Sequence, residues 1–321
     1  MQDALLTEVI RNGLVESCHR GTLVLLDSDG SEVVALGDVD AAMYPRSALK
    51  PLQATAMVRA GLRLDAQLLA LVAASHSGGP EHVVGVDAIL QSCGTGRDSL
   101  QCIEGLPLGS TERDAFLRAG GVADRIHFNC SGKHAGFIAT CVHNGWDPTT
   151  YLAQEHPLQV HTRDVVAELC GESPSVVTTD GCGAPLFAVS LRGLARGFRA
   201  VATGVAESAE RHVADAMRAY PAMVAGVGRE DTIAMQIVPG LIAKIGAEGV
   251  ICLAMPDGRA CAIKVSDGAP RGYQPVIRAV LQRWGCSVRD VERLPLASVL
   301  GGGVSMGETR MTDDVKRLLA S

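Results

Sequence analysis

The sequence is poor in aromatic residues and has no long apolar run. Phenylalanine, tyrosine and tryptophan make up 3% of its 321 residues. No apolar run approaches the ~20 residues that a helix needs to span a bilayer. The net charge is −6, and no block of basic residues accompanies it. These absences argue against a membrane protein and against nucleic acid or an anionic membrane as a partner.

Small and aliphatic residues dominate what is present. The chain is 47% hydrophobic and contains 36 glycines, which is typical of a compact soluble enzyme built from one large domain or two lobes. Residues 1–16 carry charges and lack the apolar core of a signal peptide. The ten cysteines are scattered rather than framed. We therefore expect reduced thiols and a cytoplasmic location.

Turn residues predict a β-hairpin near each end of the chain. Asp27–Gly30 separates two apolar runs, and Asp257-Gly258 separates another two. The region between them is mostly helical, without the βαβ alternation of a doubly wound sheet. The prediction is an α/β (α+β) fold, in which the terminal hairpins form one antiparallel sheet. Residues 1–321 would be a single catalytic domain, with a helical lobe at about 47–220 and the site in the cleft between the lobes.

Ser47 and Lys50 are three residues apart at the start of a predicted helix. That spacing puts both side chains on one face. A serine needs a base to become nucleophilic, and a neutral lysine can serve, although deprotonation at pH 7 costs roughly 4–5 kcal/mol from the free pKa. Burial or a second cation must supply most of that cost. The alternative is a serine that caps the helix, with a solvated lysine.

The scarcity of lysine favours the catalytic interpretation. The five lysines are Lys50, Lys133, Lys244, Lys264 and Lys316, whereas the remaining basic residues are arginines. Arginine cannot be deprotonated in proteins. Lysines that remain in such a chain are therefore expected where an amine is chemically required.

Two glycine-rich segments carry thiols beside a charged group. They contain Cys130 with Lys133, and Asp180 with Cys182. Two thiolates with a further ligand would make part of a tetrahedral zinc site, but the spacing matches no common zinc finger. Buried cysteines acting as small hydrophobes explain the pattern equally simply, and a Cys130 nucleophile with His134 as base is a further alternative. Asp180 could orient an ammonium or cap the turn.

Taken together, these segments resemble the rhizobial-type (class 3, asparaginase II-like) L-asparaginases. The matching motifs occur in the order Val15–His19, Arg46–Pro51, Ala74–Ser77, Cys130–His134, Thr179–Cys182 and Ala243–Gly246. They span most of the chain, so the joint signal is specific although each motif is short. The sequence departs from the family at Val227, where an acidic residue is expected.

The resemblance implies a fold similar to that of serine β-lactamases and glutaminases, and the hydrolysis of L-asparagine to aspartate and ammonia. It assigns the nucleophile to Ser47, the base to Lys50 and a second serine–lysine pair to Ser75 and Lys244. The further residues that it implies are Cys130, Lys133 and Cys182 as ligands of a zinc cofactor, and Arg46, His134 and Asp180 as substrate contacts. It also implies a homodimer.

Two other classes of function remain open at this stage. A glutaminase or a penicillin-recognising amidohydrolase would share the serine, the lysine and the fold. A thiol-ligated zinc-binding protein without catalysis would hold metal and release no ammonia from any amide.

Overall fold

The computed structural model describes residues 3–320, and an antiparallel sheet lies at its centre. The strands are β1 (Ala4–Arg11), β2 (Leu14–Leu26), β3 (Glu32–Leu36), β4 (Ala42–Met43), β5 (Val177–Thr179), β6 (Pro185–Phe187), β7 (Val189–Ser190), β8 (Ile242–Gly246), β9 (Val250–Ala254), β10 (Ala260–Val265), β11 (Val299–Gly301) and β12 (Val304–Met311). The sheet order is β11-β12-β1-β2-β10-β9-β8, and β3 also pairs with β2. The pairs β4–β7 and β5–β6 lie outside it.

Both predicted hairpins are present, and they lie side by side in this sheet. One joins β2 to β3 through the turn Asp27–Gly30, and the other joins β9 to β10 through Asp257-Gly258. Each turn contains a glycine with a positive φ, which is the conformation that such tight turns require. Strand β2 pairs with β10, with Leu25 opposite Cys261. The predicted antiparallel sheet built from both ends of the chain is confirmed.

The region between the hairpins is helical, as predicted. The helices of the described chain are α1 (Lys50–Arg59), α2 (Ala66–Val72), α3 (Pro80–Ser92), α4 (Ser110–Arg118), α5 (Ser131–Asn144), α6 (Pro157–Cys170), α7 (Leu191–Ala202), α8 (Ala209–Ala219), α9 (Pro221–Val224), α10 (Glu230–Ile237), α11 (Gln274–Arg283), α12 (Val288–Val291) and α13 (Asp313–Ala320). Helix α7 packs against β2, β9 and β10. This contact joins the helical region to the sheet.

Helix α1 lies inside the helical region rather than on its surface. All its residues from Lys50 to Val58 are buried, and it contacts α5, α6, α7 and α8. A helix that is enclosed on every side has no solvated face. Its lysine is therefore removed from water by the architecture of the region.

The turn that leads into α1 differs from the predicted helix start near Ser47. Residues Arg46–Leu49 form a 3₁₀ turn, and the α-helix begins only at Lys50. Pro51 has no N–H to donate to the carbonyl of Ser47, so the N–H of Lys50 donates there instead. Residues three apart are eclipsed in a 3₁₀ turn, so Ser47 and Lys50 remain on one side.

A close approach of β8 fixes this turn against the sheet. A Cβ added at Gly246 would lie only 2.4 Å from the carbonyl oxygen of Pro45, so the approach requires glycine. The next residue, Arg46, has a φ of +52°. Such a left-handed conformation costs a non-glycine residue on the order of 1–3 kcal/mol and clusters at functional sites.

The buried core contains residues of the sheet and of the helices in one cluster. This continuity favours the single domain with two lobes, which stays a prediction. The helical segments of the middle region run to Ile237, beyond the predicted limit near residue 220. Within residues 3–320, no helix has both the length and the apolar character needed to cross a membrane.

Candidate active site

Ser47 faces a surface cavity of about 350 Å³. Its residue is partly exposed, and four other predicted site residues line the same cavity: Arg46, Cys130, Asp180 and Cys182. These five residues come from three distant parts of the chain. The structure therefore brings together the predicted nucleophile, two predicted metal ligands and two predicted substrate contacts.

Lys50 lies behind Ser47 and is only 1% exposed. Its Nζ atom donates to the carbonyl oxygen of Ala74 at 2.5 Å, to Ser75 Oγ at 3.0 Å and to Cys130 Sγ at 3.1 Å. Among the described residues, the Ser47 hydroxyl has no hydrogen bond to Lys50 or to any other side chain. The lysine is thus buried beside the serine, but it is hydrogen-bonded to the second serine of the predicted pairs.

Lys244 is fully buried and has a different partner from the one expected. Its Nζ atom lies 3.5 Å from Asp231 Oδ2 and donates to the carbonyl oxygen of Ile245 at 2.8 Å. The expected hydrogen bond between Ser75 and Lys244 is absent from the described structure, because Ser75 is bound to Lys50 instead. Lys50 is therefore bonded to the serine of the second predicted pair, and Lys244 is linked to Lys50 through the effect of their charges.

Asp231 is a site residue that the sequence analysis missed. It is fully buried at the start of α10, and one of its carboxylate oxygens has no hydrogen-bond partner. Acidic residues in the first turn of a helix are common because they complement its dipole. Nothing in the local sequence around Glu230 and Asp231 therefore distinguishes a lysine partner from an ordinary helix start.

The pKa of Lys244 is lowered to about 8. Burial is the largest cause, because it penalises the charged amine. The positive charge of Lys50 lowers this pKa further, whereas the carboxylate of Asp231 opposes the change. The charge of Lys50 therefore contributes to the lowered pKa of Lys244, although burial is the larger cause.

The predicted metal ligands Cys130, Lys133 and Cys182 meet at the inner side of the cavity. Each is at most 4% exposed, and Lys133 Nζ lies 3.2 Å from Cys182 Sγ. Cys130 and Lys133 come from the start of α5, where a Cβ at Gly132 would lie 2.5 Å from the carbonyl oxygen of Leu71. That close approach holds the start of α5 against α2.

Cys182 is presented by a tight turn that begins at Asp180. The N–H of Gly183 donates to the carbonyl oxygen of Asp180 at 2.8 Å, and Gly183 has a φ of +89°. The Asp180 carboxylate lies 3.8 Å from Cys182 Sγ. Asp180 therefore both closes the turn and faces the thiol.

The charges of this thiol cluster are mutually stabilised. A hydrogen bond from Cys130, followed by the charge of Lys133, holds the pKa of Cys182 far below its usual range, although burial opposes this. Burial also opposes the charge of Lys133, but the interactions with Cys182 and Cys130 outweigh it and raise the lysine pKa to about 12. Without metal, the cluster is therefore held as a thiolate–ammonium pair.

The two thiols are of a type that binds zinc, but the third donor, the amine of Lys133, is not a usual zinc ligand. Two thiolates favour zinc, and the Lys133 amine could join them only by releasing its proton. No group of three His, Cys, Asp or Glu side chains within residues 3–320 is arranged to hold a metal. The residues present thus fit a zinc site only if lysine is a ligand, and zinc stays a prediction.

Arg46 and Asp180 form an ion pair at the rim of the cavity. Arg46 Nε donates to Asp180 Oδ1 at 2.7 Å, and Arg46 Nη1 lies 3.9 Å from Glu248 Oε1. The side chain of Arg46 is 27% exposed. A guanidinium and a carboxylate side by side provide complementary charges for the ammonium and carboxylate of an amino acid.

His134 differs from the other predicted contacts, because it does not line the cavity. It is fully buried, and its Nδ1 atom is 2.7 Å from the hydroxyl of Tyr151. Burial lowers its pKa, while hydrogen bonding to Cys182 opposes the change. Its placement does not support the predicted substrate contact and is consistent with orienting the thiol from behind.

A partly exposed serine at a cavity, together with buried lysines, is the residue content that a serine hydrolase of the serine–lysine type would need. The comparisons with known families then give the particular family. A model of the L-asparaginase II family matches residues 7–311. The chain belongs to this family, which confirms the resemblance found in the sequence.

Similar solved structures are distant in sequence. Mglu in its native form is 15% identical, covers 85% of this chain and 62% of its own, and has a TM-score of 0.43. A β-lactamase from Mycobacterium bovis is 13% identical, with coverages of 78% and 88% and a TM-score of 0.40. EstCE1, a hydrolase with promiscuous acyltransferase activity, is 13% identical, with coverages of 77% and 88% and a TM-score of 0.41.

The chain thus spans less than two thirds of the length of Mglu. No curated protein matches the chain.

Proposed function

We propose that this protein hydrolyses the side-chain amide of L-asparagine to aspartate and ammonia through an acyl-enzyme. The family supports asparaginase-like chemistry. The single observation that carries the mechanism is that Lys50 is buried one turn after Ser47 and is hydrogen-bonded to Cys130, which lines the same cavity as Ser47. A buried amine beside a second buried amine can be kept uncharged at moderate pH.

Ser47 is the proposed nucleophile because its residue is open to the cavity. Ser75 is only 5% exposed, and its hydroxyl accepts a hydrogen bond from Lys50. In the first step Ser47 Oγ bonds to the amide carbon, and its proton passes to neutral Lys50. A hydrogen bond needed for this step is often long before substrate binds and shortens in the complex.

The next steps release ammonia and then aspartate. The carbon–nitrogen bond breaks, and the leaving nitrogen takes the proton that Lys50 received, with Ser75 at 3.0 Å from Lys50 Nζ as the proposed relay. Water then attacks the ester, and Ser47 regains its proton. Backbone N–H groups of the turn before α1 are the proposed donors to the oxyanion, an arrangement that contributes strongly to such reactions.

Lys244 contributes through its charge rather than through a hydrogen bond to Ser75. Repulsion between the two ammonium groups favours the loss of one proton from the Lys50–Lys244 pair. Asp231 limits this effect, because its carboxylate stabilises the charged form of Lys244. The balance keeps one proton available for the leaving group while the other amine can act as the base.

The charged ends of the substrate are assigned to Arg46 and Asp180. Arg46 would bind the α-carboxylate and Asp180 the α-ammonium, in place of their present ion pair. The Arg46–Asp180 ion pair would be replaced by two ion pairs with the substrate, so every charged group would keep a partner of opposite charge.

Zinc, if bound, would be held by Cys130, Lys133 and Cys182. Zinc provides a positive charge that can polarise a nearby carbonyl or tie the two glycine-rich turns together. Lys133 would have to be neutral in that state. The homodimer and the cytoplasmic location implied by the sequence also stay predictions.

The test is ammonia release from L-asparagine by the wild type and by Ser47→Ala. We expect the variant to lose about a thousandfold or more in kcat, because the nucleophile is gone. The matched control is Ser305→Ala at an exposed site of β12, which should retain activity.

Asparagine, glutamine and a chromogenic β-lactam are assayed side by side. Turnover of glutamine or the β-lactam with none of asparagine would overturn the assigned substrate, and no turnover would favour a zinc-binding protein.

A further inference from the structure

One wall of the cavity is apolar, which a substrate as polar as asparagine does not require. The wall consists of Ile103, Leu106, Leu108 and Phe128. The first three are 51%, 36% and 41% exposed. Large apolar side chains that remain exposed in a concave site mark a surface for an apolar ligand group.

This wall is held in place and is not a loose loop. The backbones of Gly105 and Asp124 exchange two hydrogen bonds, of 2.9 and 3.3 Å. Farther along the chain, the N–H of Gly109 donates to the carbonyl oxygen of Ser77 at 3.0 Å. The segment that carries Leu106 and Leu108 is therefore anchored on both sides, so the apolar surface is preformed.

The apolar wall and the charged pair belong to one cavity. Arg46 and Asp180 line it together with the four wall residues and with Cys130 and Cys182. The cavity therefore combines a charged part with an apolar part.

A substrate with a charged end and an apolar end would fill both the charged part and the apolar part of the cavity. In an aspartyl amide, the charged ammonium and carboxylate are on the α-carbon, and the amide nitrogen is at the opposite end. When the charged groups bind Arg46 and Asp180, a substituent on the amide nitrogen points away from them. An apolar substituent there would cover the wall and lose its contact with water.

We propose that the preferred substrates include aspartyl amides whose amide nitrogen bears an apolar alkyl group. The proposal rests on the proposed function and extends it to a substrate class. The chemistry is the same: Ser47 Oγ bonds to the carbonyl carbon, and the carbon–nitrogen bond breaks. The nitrogen takes the proton that Lys50 received from Ser47 and leaves as the alkylamine in place of ammonia. Water hydrolyses the ester to aspartate.

The test compares the β-N-methyl and β-N-butyl amides of L-aspartate, whose amide bonds have similar intrinsic reactivity. Each methylene that leaves water contributes up to about fourfold in binding, so we expect kcat/KM to rise by about tenfold or more from methyl to butyl. Leu106→Ser should reduce this butyl-to-methyl ratio by about fivefold. Leu117→Ser on α4 makes the same change at an exposed leucine that does not line the cavity. It should leave the ratio unchanged.

Three outcomes separate this proposal from the proposed function. A butyl-to-methyl ratio of about one in an enzyme that releases ammonia from asparagine through Ser47 overturns the apolar subsite alone. A high ratio that Leu106→Ser does not change overturns the assignment of the wall. Failure of every amide, with Ser47→Ala indistinguishable from the wild type, overturns the proposed function itself.

Discussion

Lys133 and Lys244 are both buried, at 2% and 0% exposure, yet their pKa values move in opposite directions. The pKa of Lys133 is raised to about 12, and that of Lys244 is lowered to about 8. Burial penalises the charge at both sites, so burial does not explain the difference. The neighbours do: the Cys182 thiolate lies beside Lys133, whereas Lys244 faces one carboxylate and the positive charges of Lys50 and Arg229.

The comparison divides the site into a thiol side and a carboxylate side. On the thiol side, around Cys130 and Cys182, the lysine keeps its proton unless metal displaces it. On the carboxylate side, around Asp231, a proton can leave at moderate pH. We therefore expect the pH dependence of activity to originate on the carboxylate side, and zinc, if bound, to be held on the thiol side.

Removal of the base should give the largest effect. Lys50→Arg keeps a positive charge but cannot be deprotonated, so we expect kcat to fall by about a thousandfold. Because the guanidinium is larger than the amine, Lys50→Met, which is uncharged and of similar length, is the second variant. It should show the same loss of kcat. Lys316→Arg at an exposed site is the matched control and should remain active. A folded Lys50→Arg enzyme that keeps a tenth of the activity would remove the lysine base from the mechanism.

The second prediction concerns the buried acid next to Asp231. Burial, and then the charge of Asp231, raise the pKa of Glu230 to about 8. A carboxyl with a folded-state pKa above its unfolded value of 4.5 stabilises the fold fully below pH 4.5 and loses that contribution as pH rises toward 8. Glu230→Gln, which never ionises, should therefore cancel a decline of about 3 kcal/mol in the free energy of unfolding between pH 5 and pH 7.5.

Urea unfolding at pH 5 and pH 7.5 measures this decline. The upper limit of pH 7.5 keeps the measurement below most of the titration of Lys244, because the lowered pKa of Lys244 is about 8. Glu207→Gln, at a side chain that is 93% exposed, is the control and should leave the decline intact. An equal decline in the wild type and in Glu230→Gln would contradict the assignment.

The third prediction tests the thiol side by metal binding. Loss of a thiolate ligand should weaken zinc binding by about a hundredfold in Cys182→Ser, because even outer-shell partners of zinc are worth tenfold to a hundredfold. Competition with a chromogenic chelator gives the affinity. Cys170→Ser, at a buried thiol of α6, should bind zinc like the wild type. If both variants bind zinc equally well, the thiols are not its ligands, and if chelation leaves kcat unchanged, the metal has no role in chemistry.

The smallest predicted effect is a shift in the pH profile. In the wild type, kcat/KM should rise with pH through about 8, the lowered pKa of Lys244, as this lysine loses its proton. Asp231→Asn removes a charge that stabilises the protonated state, so the rising limb should move to lower pH by about one unit, a tenfold change at a fixed pH on the limb. A profile that is flat from pH 6 to 9 in the wild type would argue against a lysine base.

Local patterns predicted those parts of the fold that local chemistry determines. The Asp27–Gly30 and Asp257-Gly258 turns fix their hairpins, and the prediction succeeded there. Strands β1 and β12 were missed because their charged and polar residues alternate on a partly solvated part of the sheet, without the continuous apolar runs that marked the inner strands.

In the candidate site as well, local patterns predicted some features and missed others. The spacing of Ser47 and Lys50 predicted that they lie on one side of a turn, and it held even though the turn is 3₁₀. The pairing of Ser75 with Lys50 rather than Lys244 depends on packing between segments that are distant in the sequence. No local pattern carries that information, and the same is true of the contact between Asp231 and Lys244.

Gly246 ties together two functions that are separate in the sequence. It ends β8, the strand at one margin of the sheet, and it presses that strand against the carbonyl oxygen of Pro45 beside the nucleophile turn. The same strand carries Lys244. Fraying of this margin would therefore free the serine and displace the tuning amine in one motion. Activity should therefore be lost at lower urea concentrations than those that unfold the core, so that activity reports local unfolding at the β8 edge.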